Sequence, residues 1–350
     1  MLTRTSLAAL LLGVLTLAGC GGDSDESSTT PPAGSDAERK RAPTLTVYSG
    51  REEEYLGGLY EKFTAATGIP VEVKYGDSAE LAAVIAEEGD NSPADVFFSQ
   101  DAGALGALAK QGLLAPMDAT ITGLVDDRFA AESWVGTSGR GRVLAYSTDR
   151  VELDTLPPSV LDLTAPGWKG RVGIAPTNGS FQAFVTALRL ATSDEVALTW
   201  LEDMAANDVQ SYEKNSQIVE AIAEGEIDAG LVNSYYVHEV SRELGESIPV
   251  ANHFFEAGDA GALVNVAGIG IVASSDAPDP AAEFAQFMLG TEAQTHFAQV
   301  VGEYPLAAGV EPLPDLKPLA QVQGPDVPLA ELGEGLERTL ELIAEAGYTS

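Results

Sequence analysis

The sequence predicts an α/β body of two units with a cleft between them. Three observations carry this: strand-like and helix-like segments alternate from Leu45 onward, long apolar runs join the two alternating blocks, and turn residues close the strand-like runs. A length of 350 residues suffices for two domains of ordinary size. In sheets built from such alternation, ligands sit at the carboxyl ends of the strands.

The N-terminus reads as separate from that body. Met1 to Gly19 combines a single Arg (Arg4), an apolar run from Leu7 to Leu17 and small residues before a cysteine, the pattern of a secretory signal. Leu17-Ala18-Gly19-Cys20 resembles the bacterial lipobox, in which cleavage leaves the cysteine to carry lipid. Cys20 is the only cysteine, which excludes an internal disulfide, a Cys-ligated metal and a thiol nucleophile. Residues 20–43 then read as the lipidated cysteine and a flexible tether rich in Gly, Ser, Thr, Asp, Glu and Pro. No other apolar stretch approaches the roughly 18 residues that span a bilayer. The expectation is a protein lipid-anchored to the outer face of the cell membrane, touching it through the anchor only. The formal net charge of −34, from 19 Lys and Arg against 53 Asp and Glu, argues against nucleic acid as a partner.

In chain order, Leu45 to Ser49 alternates as a strand and stops at Gly50. Glu52 to Gly68 carries Tyr55, Leu59, Phe63 and Ala66 at helical spacing, with Gly68 as the C-cap. Pro70 to Tyr75 reads as a strand, Ser78 to Gly89 as a helix capped by Ser78, Asp95 to Ser99 as a buried strand, and Ala102 to Gln111 as a helix. The strand ends fall at Ser49 to Glu52, Gly76 to Ser78 and Ser99 to Asp101. Ser138 to Gly141 reads as a Gly-rich turn before a strand from Arg142 to Thr148, and Trp168 to Ala175 as another strand. Pro176-Thr177-Asn178-Gly179-Ser180-Phe181 opens a long helix whose small and hydroxyl residues make a ready anion cradle, although a plain capped helix fits as well. Helices over Glu195 to Ala206 and Ser216 to Glu224 flank a short strand from Val209 to Tyr212. Gly261 to Ala273 is a long apolar run, and helices follow at Pro280 to Gly290, Thr291 to Val301 and Leu329 to Ala346.

The run Ala229 to Val232 is apolar and strand-like and ends at Asn233-Ser234-Tyr235-Tyr236. Neighbouring side chains of a strand point to opposite faces, so both rings serve one site only if the backbone leaves the strand there. Paired phenols suit a hard, highly charged cation, beside which a group of pKa about 10 ionises near neutrality. Soft and borderline metals prefer thiolate and imidazole, and the chain holds one Cys and three His. The same pair also fits one ring in the core and the other at the surface.

Taken together, Val47-Tyr48-Ser49-Gly50-Arg51, Ser92 to Gln100, Ser138 to Val143, Pro176 to Phe181, Lys214-Asn215-Ser216, Asn233 to Tyr236 and Glu303-Tyr304-Pro305-Leu306 resemble the ferric-iron-binding extracytoplasmic solute-binding proteins of ABC importers. The likeness runs in order from about Leu45 to Leu306. It implies a two-lobed periplasmic-binding-protein-like fold, each lobe a mostly parallel sheet flanked by helices, hinged by crossover strands. On that basis residues 44–141 plus 266–310 form the first lobe, 142–265 the second, and 311–350 a helical segment packing on both. The resemblance places Tyr235 and Tyr236 on the family's paired metal ligands and Tyr146 on a third phenolate of some members. It places a synergistic anion, carbonate or phosphate, at Thr177, Asn178, Gly179, Ser180, Asn215 and Asn233, with Arg140 or Arg142 pairing it. Two positions depart from the pattern. Glu52 stands where some members carry a His ligand and keeps a carboxylate able to bind metal, whereas Gln100 replaces a Glu ligand and reads as a hydrogen-bonding neighbour.

The implied partners are ferric iron or a small ferric chelate and the membrane subunits of an ABC permease, with the protein a monomer. An enzyme finds no support: His-Glu-x-x-His, Gly-x-Ser-x-Gly, Walker and Gly-x-Gly-x-x-Gly patterns are missing from the sequence. The rival readings are a same-fold binder of thiamine, a polyamine, a phosphonate or an oxyanion, and an extracellular ligand sensor without transport. The first leaves the Tyr235–Tyr236 pair and Tyr146 unexplained together, and the sequence does not decide against the second.

Overall fold

Residues 44–348 other than residue 334 are described by the structure, a computed structural model. The signal, Cys20 and tether expectations lie outside the described residues. Among the latter, no helix is long and apolar enough to cross a membrane.

Two parallel blocks of strands are joined through an antiparallel centre. The first block contains β1 (Leu45–Ser49), α1 (Glu53–Thr67), β2 (Val71–Tyr75), α2 (Ser78–Glu88), β3 (Val96–Ser99) and α3 (Ala102–Lys110), with β1 parallel to both β2 and β3. After the short α4 (Ala119–Thr122) and β4 (Ala130–Ala131) comes β5 (Trp134–Ser147). The second block contains β6 (Val172–Ile174), α5 (Gly179–Ala191), α6 (Asp194–Ala206), β7 (Gln210–Ser211), α7 (Asn215–Glu224) and β8 (Ala229–Asn233), with β6 parallel to β7 and β8. It continues with α8 (Tyr236–Leu244) and β9 (Val250–His253). The chain then returns through β10 (Val264–Ile271) to α9 (Pro278–Met288), α10 (Thr291–His296) and β11 (Tyr304–Pro305), and ends on α11 (Leu336–Glu345). The strand order is β2-β1-β3-β10-β5-β8-β6-β7. The result is the expected α/β architecture with a mixed sheet.

β5 ties the blocks together. Its first half pairs antiparallel with β10 from Trp134 to Gly141, and its second half pairs with β8 from Arg142 to Tyr146. All fourteen of its residues are buried. The Gly-rich run Ser138 to Gly141 is therefore mid-strand rather than a turn. The glycines are there for room: a Cβ at Gly136 would lie 2.9 Å from a Leu306 methyl, and one at Gly139 would lie 3.1 Å from another. Period-2 alternation sorts the second half of β5 between two cores. Leu144 and Tyr146 join Phe181, Phe184 and Trp200, while Val143 and Ala145 join Ile218, Ile222 and Val232. A separate core under the first block stacks Phe63 edge-on against Phe284 at 5.2 Å.

Three further differences have local causes. The strand expected from Trp168 shrinks to β6 because Pro166 opens a 3-10 turn through Trp168. The terminal helix expected from Leu329 begins at Leu336, after a 3-10 turn over Leu329–Leu332 whose Gly333 presses on α3. A Cβ at Gly103 would lie 2.5 Å from the Gly333 nitrogen, so only glycine allows this approach. Finally, α2 is capped by Asp77, whose carboxylate accepts from the N–H groups of Ala79 and Glu80, rather than by Ser78. That frees the Ser78 hydroxyl to accept from the Gln100 N–H at 2.8 Å.

Candidate functional site

The carboxyl ends of β1, β2 and β3 open into a cleft of about 590 Å³. Its opposite wall is made by the middle of β5, the end of β8 and the starts of α5 and α8. Tyr235 and Tyr236 lie at the junction of β8 and α8. Asn233 ends the strand, Tyr235 takes helical dihedrals (φ −77, ψ −19), and Tyr236 begins the helix. The turn brings side chains that would diverge along a strand to one side, and the rings stack at 4.2 Å with planes 28° apart. Burial, then Tyr236 and Glu303, hold the Tyr235 phenol well above its ordinary pKa. Burial likewise raises Tyr236. The pair is neutral at ordinary pH, and only a strong positive charge entering the cleft ionises it.

Behind the tyrosines sits a buried ion pair. Arg51, 1% exposed, donates to both oxygens of Glu303 at 2.9 and 3.1 Å. The Ser138 hydroxyl also donates to this carboxylate. Burial alone would raise the Glu303 carboxyl, but Arg51, Arg140 and Ser138 outweigh it and hold the group below its usual range. Arg51 also donates to the Gln100 side-chain oxygen at 2.7 Å, while the Arg140 guanidinium bonds the Gln100 backbone carbonyl. Gln100 is thus fixed from both ends, with its amide oxygen engaged.

On the facing side Arg142 is fully buried without a carboxylate. It donates to the Ser180 hydroxyl, the Asn215 side-chain oxygen and the Leu231 carbonyl at 3.2, 3.3 and 2.9 Å, all neutral acceptors. No ion pair reaches it among the described residues, and its Nε has no partner there. Burial lowers its pKa to about 9, and isolating such a charge costs several kcal/mol. Asn178 caps α5 by accepting from the Ser180 N–H at 3.0 Å. With Gly179, Ser180 and Asn233 it faces the cleft beside both arginines. These residues fit an anion, which would compensate Arg142.

The structure thus gathers Tyr235, Tyr236, Glu52, Gln100, Arg140, Arg142, Asn178, Gly179, Ser180 and Asn233 around one cavity. It does not bring Tyr146 there. Tyr146 pairs with Ala229 at the far end of β8, four residues along β5 from Arg142 and so about 13 Å away at strand rise. Its ring packs in the apolar core with Leu144 and Val151, and it is only 7% exposed. Thr177 is exposed, precedes the helix cap and does not line the cleft. Asn215 stands behind the cradle, donating to Asn178 and Ser180 at 3.0 and 3.3 Å. Glu52 is exposed at the start of α1 and caps no N–H there. Sequence reading left two features without a role: the Arg51–Glu303 pair, and Tyr55, which lines the same cleft.

This arrangement defines a binding protein rather than an enzyme. The model of the bacterial extracellular solute-binding proteins matches residues 58–323, and a major ferric iron-binding protein of Neisseria meningitidis serogroup B is 36% identical over 87% of this chain and 92% of its own. The chain belongs to this solute-binding family, in its ferric iron-binding branch. Among solved structures, iron-bound HitA of Pseudomonas aeruginosa superposes with a TM-score of 0.79 at 36% identity, covering 87% of this chain and 99% of that one. A Trichodesmium protein in complex with iron and citrate superposes at 0.77 with 28% identity, covering 87% and 100%. The fold is the periplasmic-binding-protein fold of these structures.

Proposed function

We propose that this protein is the extracytoplasmic component of an ABC iron importer, capturing Fe³⁺ in its cleft and delivering it to the permease. The carrying observation is the stacked Tyr235–Tyr236 pair turned into a cleft beside an uncompensated Arg142. Two phenolates leave one positive charge on a trivalent ion. With Arg142 and Arg140 that makes three, of which a dianion such as carbonate or hydrogen phosphate on the cradle of Asn178, Gly179, Ser180 and Asn233 cancels two and the Glu52 carboxylate, from the opposite wall, the third. A neutral buried assembly avoids most of the desolvation cost of a charged one. The relatives named for ferric iron, and the structures holding iron or iron with citrate, support the same substrate.

In this reading the first and second strand blocks are lobes hinged on β5 and β10, and metal closes them by binding both. Lipidation at Cys20 anchors the body outside the membrane. The test is titration of the purified soluble body with ferric citrate, followed by visible absorption. A phenolate-to-iron charge-transfer band saturating at one iron per chain is expected, and Tyr146→Phe should leave both band and affinity close to wild type. A colourless titration would sink the reading.

A further inference from the structure

We propose that the hydrogen bond from Tyr55 to Glu239 is a clasp that holds the cleft shut on its cargo, a positioning role that rests on the ferric reading above. Tyr55 is on α1 beside the first block, and Glu239 is on α8, which starts with the tyrosine Tyr236. The Tyr55 hydroxyl donates to Glu239 Oε2 at 3.1 Å across 184 residues of chain. Tyr236, Glu239 and Arg242 recur at intervals of three along α8, so one helix face carries all of them. Further along, that face meets the segment after α10, whose Phe297 and Val301 belong to the core under the first block. The Arg242 guanidinium donates to the Val300 carbonyl, and the neighbouring His238 ring lies against Gly302, where an added Cβ would come within 3.0 Å of it.

Tyr55 is itself held from behind. Its backbone carbonyl accepts from the His296 ring at 2.7 Å, and the Arg51 guanidinium lies 5.7 Å from its ring centre. Glu239 is 8% exposed, so its carboxylate loses water when this contact forms and regains it when the contact breaks. A hydrogen bond joining the two walls, made by the helix that presents Tyr236, ties the position of that ring to the closed arrangement. Opening must break it, which slows escape of a bound ion.

The experiment follows iron loss from the ferric-loaded protein into excess EDTA, read as decay of the visible band. Tyr55→Phe and Glu239→Leu should each release iron about tenfold faster, as expected for losing one hydrogen bond to a charged group. The double variant should be no faster than either single one. Glu239→Gln keeps an acceptor and should release at close to the wild-type rate. In all of them the position and intensity of the band per bound iron should match wild type. Wild-type release rates in both Tyr55→Phe and Glu239→Leu would overturn the clasp. A weakened or shifted band in Tyr55→Phe would also overturn it, by making Tyr55 a ligand. Absence of any band in the wild-type protein takes down the ferric reading and the clasp with it.

Discussion

On the proposed ferric reading, Tyr235→Phe should lower ferric affinity by about three orders of magnitude, roughly 4 kcal/mol, while leaving the fold intact. The substitution removes one oxygen and nothing else from a ring that is 4% exposed and stacked on its neighbour. Stacking and burial survive, so thermal stability should move little. On that reading, what is lost is one of two ionised oxygens opposing a trivalent charge in a site sheltered from water, where such attraction is least screened. Tyr236→Phe should behave alike, because both rings share the cleft. On the same reading acid should imitate the variants: burial holds both phenols above their ordinary pKa, so as ligands each would give up a proton to the metal, and affinity should fall with every unit of decreasing pH. Competition with citrate at a series of pH values measures both effects. Near-wild-type affinity in both variants would remove the tyrosines from the site.

The turn that brings these two rings together was legible because the signal is local. An apolar run ending at Asn233 and Ser234, followed by two phenols, already requires the backbone to turn, and the structure turns it at Tyr235. The α/β class was legible for a similar reason, since β1 to α3 announce themselves by period and by turn residues such as Gly68, left-handed at φ 76. Position along a strand was not. Tyr146 and Arg142 share a face of β5, but four residues of strand rise put one in the core and the other at the cleft. The glycines of β5 misled because close packing against Leu306 and a tight turn leave the same mark in a sequence. Tyr55 hid within a helix stripe: Leu59 and Phe63 below it are buried, while Tyr55, one turn nearer the helix start, extends past the core. Arg51 and Glu303 lie 252 residues apart, and no local pattern announces that one will neutralise the other.

That pair carries the second large effect, on stability. Glu303→Gln should destabilise the protein by about 3–5 kcal/mol, because it leaves Arg51 charged, 1% exposed and without its carboxylate. Hydrogen bonding alone does not prevent this, since a glutamine oxygen can still accept from Arg51 or Ser138 but carries no charge. Replacing both partners, Arg51→Met with Glu303→Leu, should cost less than the single change, because Arg51 is then no longer left buried and charged without its carboxylate. The pH dependence has a definite sign. The folded-state pKa of Glu303 lies below its unfolded value, so its contribution is present above the unfolded pKa and is lost as pH falls through the folded one. Chemical denaturation at neutral pH and at successively lower pH should show the gap between wild type and Glu303→Gln narrowing on acidification. A gap that stays constant, or a double variant less stable than Glu303→Gln, would mean that packing rather than charge holds this corner of the cleft.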